Sequence, residues 1–206
     1  RAIKNLYPKS KLAIGPTIED GFYYDVESEE VISSDDLIKI EDEMKNIIKT
    51  KSLLTKKLVS KSEALKIFKE KKEPFKETII NESNQKNDFQ LYYQDNEEFV
   101  DLCRGPHLPN LGFIGSFKLT KVSGAYWKGD SKNTMLTRIY GTAFNSDKDL
   151  QKHLNEVEEA LKRDHRKLGR EMDLFHFQDE APGMVFWHPK GLSLIHISEP
   201  TRQKPI

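Results

Sequence analysis

Apolar positions recur at helical spacing in three stretches of the chain. Leu37, Ile40, Met44, Ile47 and Ile48 fall on one face of a predicted helix that starts at Asp35, with Ser34 as its cap and two aspartates at its positive end. The signature Ser60-x-x-Glu63 opens a second predicted helix, with Leu65 and Phe68 on one side, which ends in the charge run 69–74. From 147 to about 172 the pattern predicts one long polar helix. Leu150, Leu154, Val157, Leu161 and Leu168 form its narrow seam, and Glu158/Lys162 and Glu159/Arg163 stand at pairing distance. A seam that narrow suits a connector. Between these stretches lie short segments rich in aromatic and β-branched residues, at 21–25, 53–59, 78–80, 90–93, 117–122 and 136–144, which read as strands. Several strands with few helices predict an α+β fold, an antiparallel sheet packed with helices, followed by a linker helix. Residues 174–191, with Pro182-Gly183 and Phe186-Trp187-His188-Pro189, read as the opening of a further domain.

Composition narrows this picture. A chain of 206 residues suits one ordinary domain and an appendage. Its 32% charged residues and mean hydropathy of −0.68 describe a Lys- and Glu-rich surface. No apolar run approaches the roughly 20 residues of a spanning helix, and the start carries no signal-peptide pattern, so the expected setting is cytoplasmic with no membrane role. One cysteine cannot form an internal disulfide, which fits a reducing compartment. With 33 basic and 33 acidic residues, nucleic-acid binding must rest on a local patch, and binding to DNA is not expected. Arg1-Ala2-Ile3-Lys4-Asn5-Leu6-Tyr7-Pro8 reads as the last turns of a helix ended by proline, whose earlier turns are expected upstream. At the other end, residues 192–202 resemble the translation of a transposon-based sequencing adapter, and 192–206 are expected to be non-native.

The densest chemistry lies in Asp101-Leu102-Cys103-Arg104-Gly105-Pro106-His107. The Gly-Pro pair fixes a turn and removes a backbone donor, so Cys103 and His107 are expected to converge on one pocket. Three readings stay open for that pair. It is half of a zinc site that needs further ligands, a nucleophile with its base, or a structural cysteine beside a surface histidine. Lys76 is, by composition, one solvated lysine among many, and Tyr23, Tyr24, Tyr126 and Trp127 are core aromatics or stacking surfaces. Lys162, Arg163, His165, Arg166, Lys167 and Arg170 form a basic cluster that either faces phosphates or pairs with neighbouring glutamates.

Six strings in order give the chain a resemblance to bacterial threonyl-tRNA synthetases. They are Ile14-Gly15-Pro16 with Gly21-Phe22-Tyr23-Tyr24-Asp25; Asp101 to His107 as quoted above; Gly124-Ala125-Tyr126-Trp127-Lys128-Gly129-Asp130; Arg138-Ile139-Tyr140-Gly141-Thr142; Lys162-Arg163-Asp164-His165-Arg166-Lys167; and Glu180-Ala181-Pro182-Gly183. The resemblance covers residues 1 to about 191. It implies a threonyl/alanyl-type editing domain at 1–146, a linker helix at 147–172 and the start of a class II catalytic domain at 173–191.

The implied activity is hydrolysis of serine wrongly esterified to threonine's tRNA, within a ligase that attaches threonine using ATP. Such a site is needed because a pocket that recognises threonine's hydroxyl rejects serine only by one methyl, worth about 1–3 kcal/mol. By motif, the family's editing residues fall on Lys76, Asp101, Cys103 and His107. Lys76 is expected to stabilise charge, Asp101 to orient or to bind the serine amine, and Cys103 and His107 to shape the pocket and hold water. Tyr24, Tyr126 and Arg104 are expected to bind substrate, and Arg163, Arg166 and Lys167 to bind tRNA. A His-x-x-x-His pair of the family is expected ahead of residue 1, so that the chain alone is expected to be inactive and of reduced stability. No cofactor is implied for this stretch, with Cys103 and His107 only weak metal candidates. ATP, Mg2+ and Zn2+ are implied for the remainder of the catalytic domain, and the expected partners are the acceptor end of threonine's tRNA and a second copy of the parent ligase. Two alternatives accompany this reading: a zinc-dependent deacylase of the alanyl type, and a tRNA-binding module without chemistry.

Overall fold

The computed structural model describes residues 1–19, 21–95 and 98–198. They form two units that divide between Leu150 and Gln151.

The first unit opens with α1 (Ala2–Leu6), the short strands β1 (Lys11–Leu12) and β2 (Thr17–Ile18), and β3 (Gly21–Glu27). Helix α2 (Asp36–Lys49), strand β4 (Leu54–Val59) and the helices α3 (Lys61–Glu70) and α4 (Pro74–Glu82) follow. Strands β5 (Phe89–Gln94), β6 (Phe99–Leu102), β7 (Ser116–Tyr126) and β8 (Met135–Phe144) complete it. All pairings are antiparallel: β1-β3-β8-β7, with β2 added against β3, make a five-stranded sheet, and β4-β5-β6 make a three-stranded one. The α+β expectation is met.

Local sequence explains most elements, and three expectations need correction. Ser34 does not cap α2. Asp35 occupies the cap position without a side-chain bond, and the Asp36 carboxylate instead accepts from the N–H and hydroxyl of Ser33, 3.0 and 2.9 Å away. Those bonds and Lys39 hold the Asp36 pKa down at about 2. Residues 78–80 are helical, not a strand, because Pro74 supplies a preset φ at the start of α4 and the whole segment turns with it. The expected helix over 147–172 is two, α5 (Asp147–Lys162) and α6 (His165–Glu171). Asp164 breaks it: its backbone is non-helical and its carboxylate accepts from the N–H of Arg166 at 2.8 Å, which makes it the cap of a new helix. Ser60, by contrast, caps α3 as its signature predicts, accepting from the N–H of Glu63 at 3.3 Å.

Two cores form, one against each sheet. Ala64, Phe68 and Ile80 of α3 and α4 pack on Val59, Leu91, Tyr93 and Val100 of the three-stranded sheet. Ala2 of α1 and Leu37 and Ile40 of α2 pack on Leu119 and Ile139 of the five-stranded sheet. The register of β3 on β8 is pinned by Asp25, directly opposite Arg138, which it binds through two bonds of 2.7 and 2.8 Å. Arg138 also lies 4.0 Å from the ring of Tyr23. Helix α4 links the first of these cores to a third, smaller cluster. Its Ile80 faces the three-stranded sheet, while Phe75 packs with Ala13, Leu136 and the ring of Trp127 at 4.9 Å.

In the second unit, β9 (Phe175–His176) and β10 (Phe186–Trp187) form an antiparallel ladder, followed by α7 (Pro189–Ser198). Phe175 stands edge-on to Trp187 at 5.4 Å, and Gly169 leaves room for its ring. Of the expected non-native stretch 192–206, residues up to Ser198 end α7 and the rest lie outside the described residues. No described helix is long and apolar enough to cross a membrane.

Truncating Phe68 to alanine should cost about 3–5 kcal/mol by denaturant titration, the price of an aromatic-sized hole under the three-stranded sheet. Ser60→Ala should cost about 1 kcal/mol, the value of one cap.

Candidate functional site

The two faces of the three-stranded sheet differ in kind. Residues alternate along a strand, so Leu91, Tyr93 and Val100 turn to α3 and α4, while Gln90, Tyr92 and Asp101 turn the other way. Lys56, Tyr92 and Asp101 stand directly opposite one another across β4, β5 and β6 and therefore share that second face. Cys103, two residues beyond Asp101, continues the edge: its N–H donates to the carbonyl of Gln90 at 3.2 Å.

Lys76 reaches both sheets from α4. Its ammonium is 2.5 Å from Asp101 Oδ1 in β6 and donates to the hydroxyl of Tyr24 in β3 at 3.2 Å, although the residue is only 3% exposed. Tyr24 in turn donates to Asp101 Oδ2 at 2.7 Å, and the N–H of Leu102 donates to Oδ1 at 2.7 Å. Both carboxylate oxygens are thus committed. Burial, and then the charge of Asp101, push the Tyr24 phenol well above its usual 10, so that it remains a donor. Gly15 is required beside it, because any Cβ there would collide with the Tyr24 ring. Glu73, at the start of α4, is buried and accepts from the N–H of Leu12 at 2.8 Å while pairing with Lys4. That brace fixes the end of α4 from which Lys76 projects.

The loop after β6 brings the remaining candidates close. The N–H of Gly105 contacts Cys103 Sγ at 3.5 Å, and Gly105 has φ of 63° and no room for a Cβ against the Tyr92 hydroxyl. The peptide before Pro106 is cis. His107 stands edge-on to Tyr92 with ring centroids 4.1 Å apart. Burial lowers the His107 pKa from its ordinary 6.5, and the nearby charge of Asp101 opposes that shift. An open ring, neutral at pH 7, results. Among the described residues no third donor joins Cys103 and His107 in a group able to hold a metal ion.

Tyr24, Lys76, Asp101, Cys103 and His107, spread over 84 positions of sequence, are therefore one neighbourhood. Arg104 lines a cavity together with His107. Tyr126 is 45% exposed at the end of β7, opposite Met135. In the connector, Arg163 pairs with Glu159, Arg166 with Asp164, and Lys167 with Glu171, all on the surface. Sequence reasoning missed Tyr92 and Glu73. Alternation on β5 carried a signal for Tyr92; nothing local marked Glu73.

Part of the stretch that carries this cluster matches a known family. Residues 90–140, which hold Asp101, Cys103 and His107, match the family described as the threonyl and alanyl tRNA synthetase second additional domain. Over 198 residues, 96% of its length, the chain is 52% identical to the threonine–tRNA ligase of Prochlorococcus marinus strain MIT 9211. It is equally similar, 52% over 198 residues, to that of strain MIT 9515. It spans 31% of the length of each. The resemblance to threonyl-tRNA synthetases is thereby shown, for a stretch equal to about a third of such a ligase.

Asp101→Ala should destabilise the chain by about 3 kcal/mol, because it strands a buried ammonium. Lys76→Met should cost less, since Asp101 keeps the Tyr24 and Leu102 donors; equal losses by denaturant titration would refute the asymmetry. For His107 the folded state prefers the neutral ring. Its contribution to stability is therefore complete above pH 6.5 and declines as pH falls through the lowered pKa. An NMR titration should place its midpoint below 6.5.

Proposed function

We propose that this chain is the editing portion of a threonine–tRNA ligase and that its cluster hydrolyses the ester of serine wrongly attached to threonine's tRNA. One observation carries the reading: a buried lysine, held by a carboxylate whose other bonds are filled, beside a histidine that is neutral at pH 7. In ester hydrolysis, water adds to the carbonyl carbon, the carbon–oxygen bond to the ribose breaks, and serine and a free ribose hydroxyl leave.

The positive charge of Lys76 stabilises the oxyanion that forms, a role that is strong where water is excluded. Neutral His107 accepts the proton of the attacking water. Asp101 has no free lone-pair direction toward Lys76 or Tyr24 and serves as the positioning residue for both. Cys103 narrows the space beside them, in keeping with a pocket that admits serine and excludes threonine's extra methyl. The resemblance expects a further His pair on a helix ahead of residue 1.

The attachment of threonine using ATP, with the Mg2+ and zinc that the resemblance implies, belongs in this reading to the rest of the ligase. So do a second copy of the parent as partner and a cytoplasmic setting. The tRNA contacts of Arg163, Arg166 and Lys167 would exchange their present acidic partners for phosphates.

The test uses seryl- and threonyl-tRNA for threonine, with this chain and with the intact ligase. Serine ester should be cleaved and threonine ester spared by the intact ligase, and Lys76→Ala should slow cleavage about 100- to 1,000-fold. The rate should fall as pH drops through the His107 pKa and lose that step in His107→Gln. Equal treatment of the two esters, or an unaltered rate in Lys76→Ala, removes the reading.

A further inference from the structure

An imidazole that accepts a proton from water needs a group that fixes the direction of its ring. That group is commonly a carboxylate or a backbone carbonyl bonded to the second ring nitrogen. Among the described residues no such bond reaches His107, and Asp101 acts on its ring only through charge. His107 also lies in the loop after β6, outside any helix or strand, where the backbone does little to restrain the side chain.

Tyr92 supplies the missing constraint. Its ring stands edge-on to the imidazole, with 78° between the planes and 4.1 Å between the centroids, in the tilted arrangement that aromatic pairs favour. Tyr92 belongs to β5, the central strand of the three-stranded sheet, where it is paired with Lys56 on one side and Asp101 on the other and is 9% exposed. A side chain on a paired central strand is held more rigidly than one on a loop. Its hydroxyl lies over Gly105, and the missing Cβ there lets the loop come close enough for the two rings to meet.

We propose that Tyr92 is the positioning residue of His107: its ring fixes the direction of the imidazole and keeps water from one side of it. The inference rests on the editing reading, which gives His107 its part in proton transfer. The groups that face this ring are Asp101 of β6, with Lys76 of α4 and Tyr24 of β3 bound to it, Lys56 of β4, and Cys103 and Arg104 of the loop itself. The carboxylate favours the imidazolium and the cations oppose it. None of these charges changes when Tyr92 is replaced, so a shift in the titration of His107 then reports burial by the Tyr92 ring.

The experiment compares Tyr92→Leu with Tyr92→Phe, in the 206-residue chain for the NMR titration of His107 and in the intact ligase for cleavage of seryl-tRNA. Leucine removes the aromatic wall, so the His107 midpoint should rise toward 6.5 and the acid limb of the rate should move up with it. Its kcat should fall about 10- to 100-fold with KM unchanged, the scale of a displaced reacting group. Tyr92→Met, which refills more of the space, should behave as leucine does. Phenylalanine keeps the ring and should match the parent in midpoint and rate. In a His107→Gln background Tyr92→Leu should slow cleavage no further, because it acts through His107. A rise in KM alone would make Tyr92 a substrate contact and overturn the proposal. So would losses that add in the double variant, or a phenylalanine variant as slow as the leucine one.

Because the titration needs no ester, its result separates from the hydrolysis assay. If the midpoint moves as expected and serine ester survives the intact ligase, Tyr92 still positions His107 and the editing chemistry falls. If the ester is cleaved while Tyr92→Leu leaves midpoint and rate as in the parent, the positioning role falls alone.

Discussion

Everything in the first unit that has chemical interest depends on one buried contact, the ammonium of Lys76 against the carboxylate of Asp101. A lysine drawn out of water must find compensation, and here it comes from β6 through Asp101 and from β3 through the Tyr24 hydroxyl. The contact ties α4 to both sheets at the point where two separate cores approach. Such a pair adds little net stability over a well-packed apolar alternative, since desolvation offsets much of the attraction. Its value is positional. It fixes a cation, a phenol and a carboxylate within hydrogen-bond reach of one another, where elsewhere the same three residue types would be solvated independently.

The surroundings maintain that placement. Glu73 holds the start of α4 against Leu12, and Phe75 and Ile80 anchor the same helix in two different apolar clusters. Glycine is used where the backbone must come close, at Gly15 against Tyr24 and at Gly105 against Tyr92. The Asp25–Arg138 pair sets the register of β3, and through it the height at which Tyr24 meets Asp101. The strings that carry the resemblance supply both scaffold positions, Gly15, Asp25 and Arg138, and most of the cluster, Tyr24, Asp101, Cys103 and His107; Lys76 lies outside them.

The division of labour within the cluster follows from saturation. Asp101 has its oxygens occupied and is poorly suited to take a proton, whereas His107 has an open ring and a lowered pKa. In the proposed reading, burial and charge separate a fixed electrostatic element, Lys76, from a proton acceptor, His107, as hydrolysis by water requires. On the adjoining face Lys56, Gln90 and Tyr92 of the same sheet line a cavity with Arg104 and His107 of the following loop.

Much of the local structure was determined by the sequence alone. Segments rich in aromatic and β-branched residues located β3, β4, β5, β7 and β8, the Ser60 signature located the start of α3, and the acidic–basic spacing located the ion pairs at the end of α5. The resemblance, and not periodicity, marked Lys76, Asp101, Cys103 and His107. The failures share a cause: residues 78–80 have strand-like composition but follow a proline that starts a helix, and Asp164 is one polar residue in a polar helix until its cap bond forms. What only the tertiary structure decided is the burial of Lys76, the saturation of Asp101, and the placement of Glu73, Tyr92 and Gln90. Each depends on partners far away in sequence, and a lone lysine or glutamine carries no local mark of the environment that long-range strand pairing and helix packing create around it.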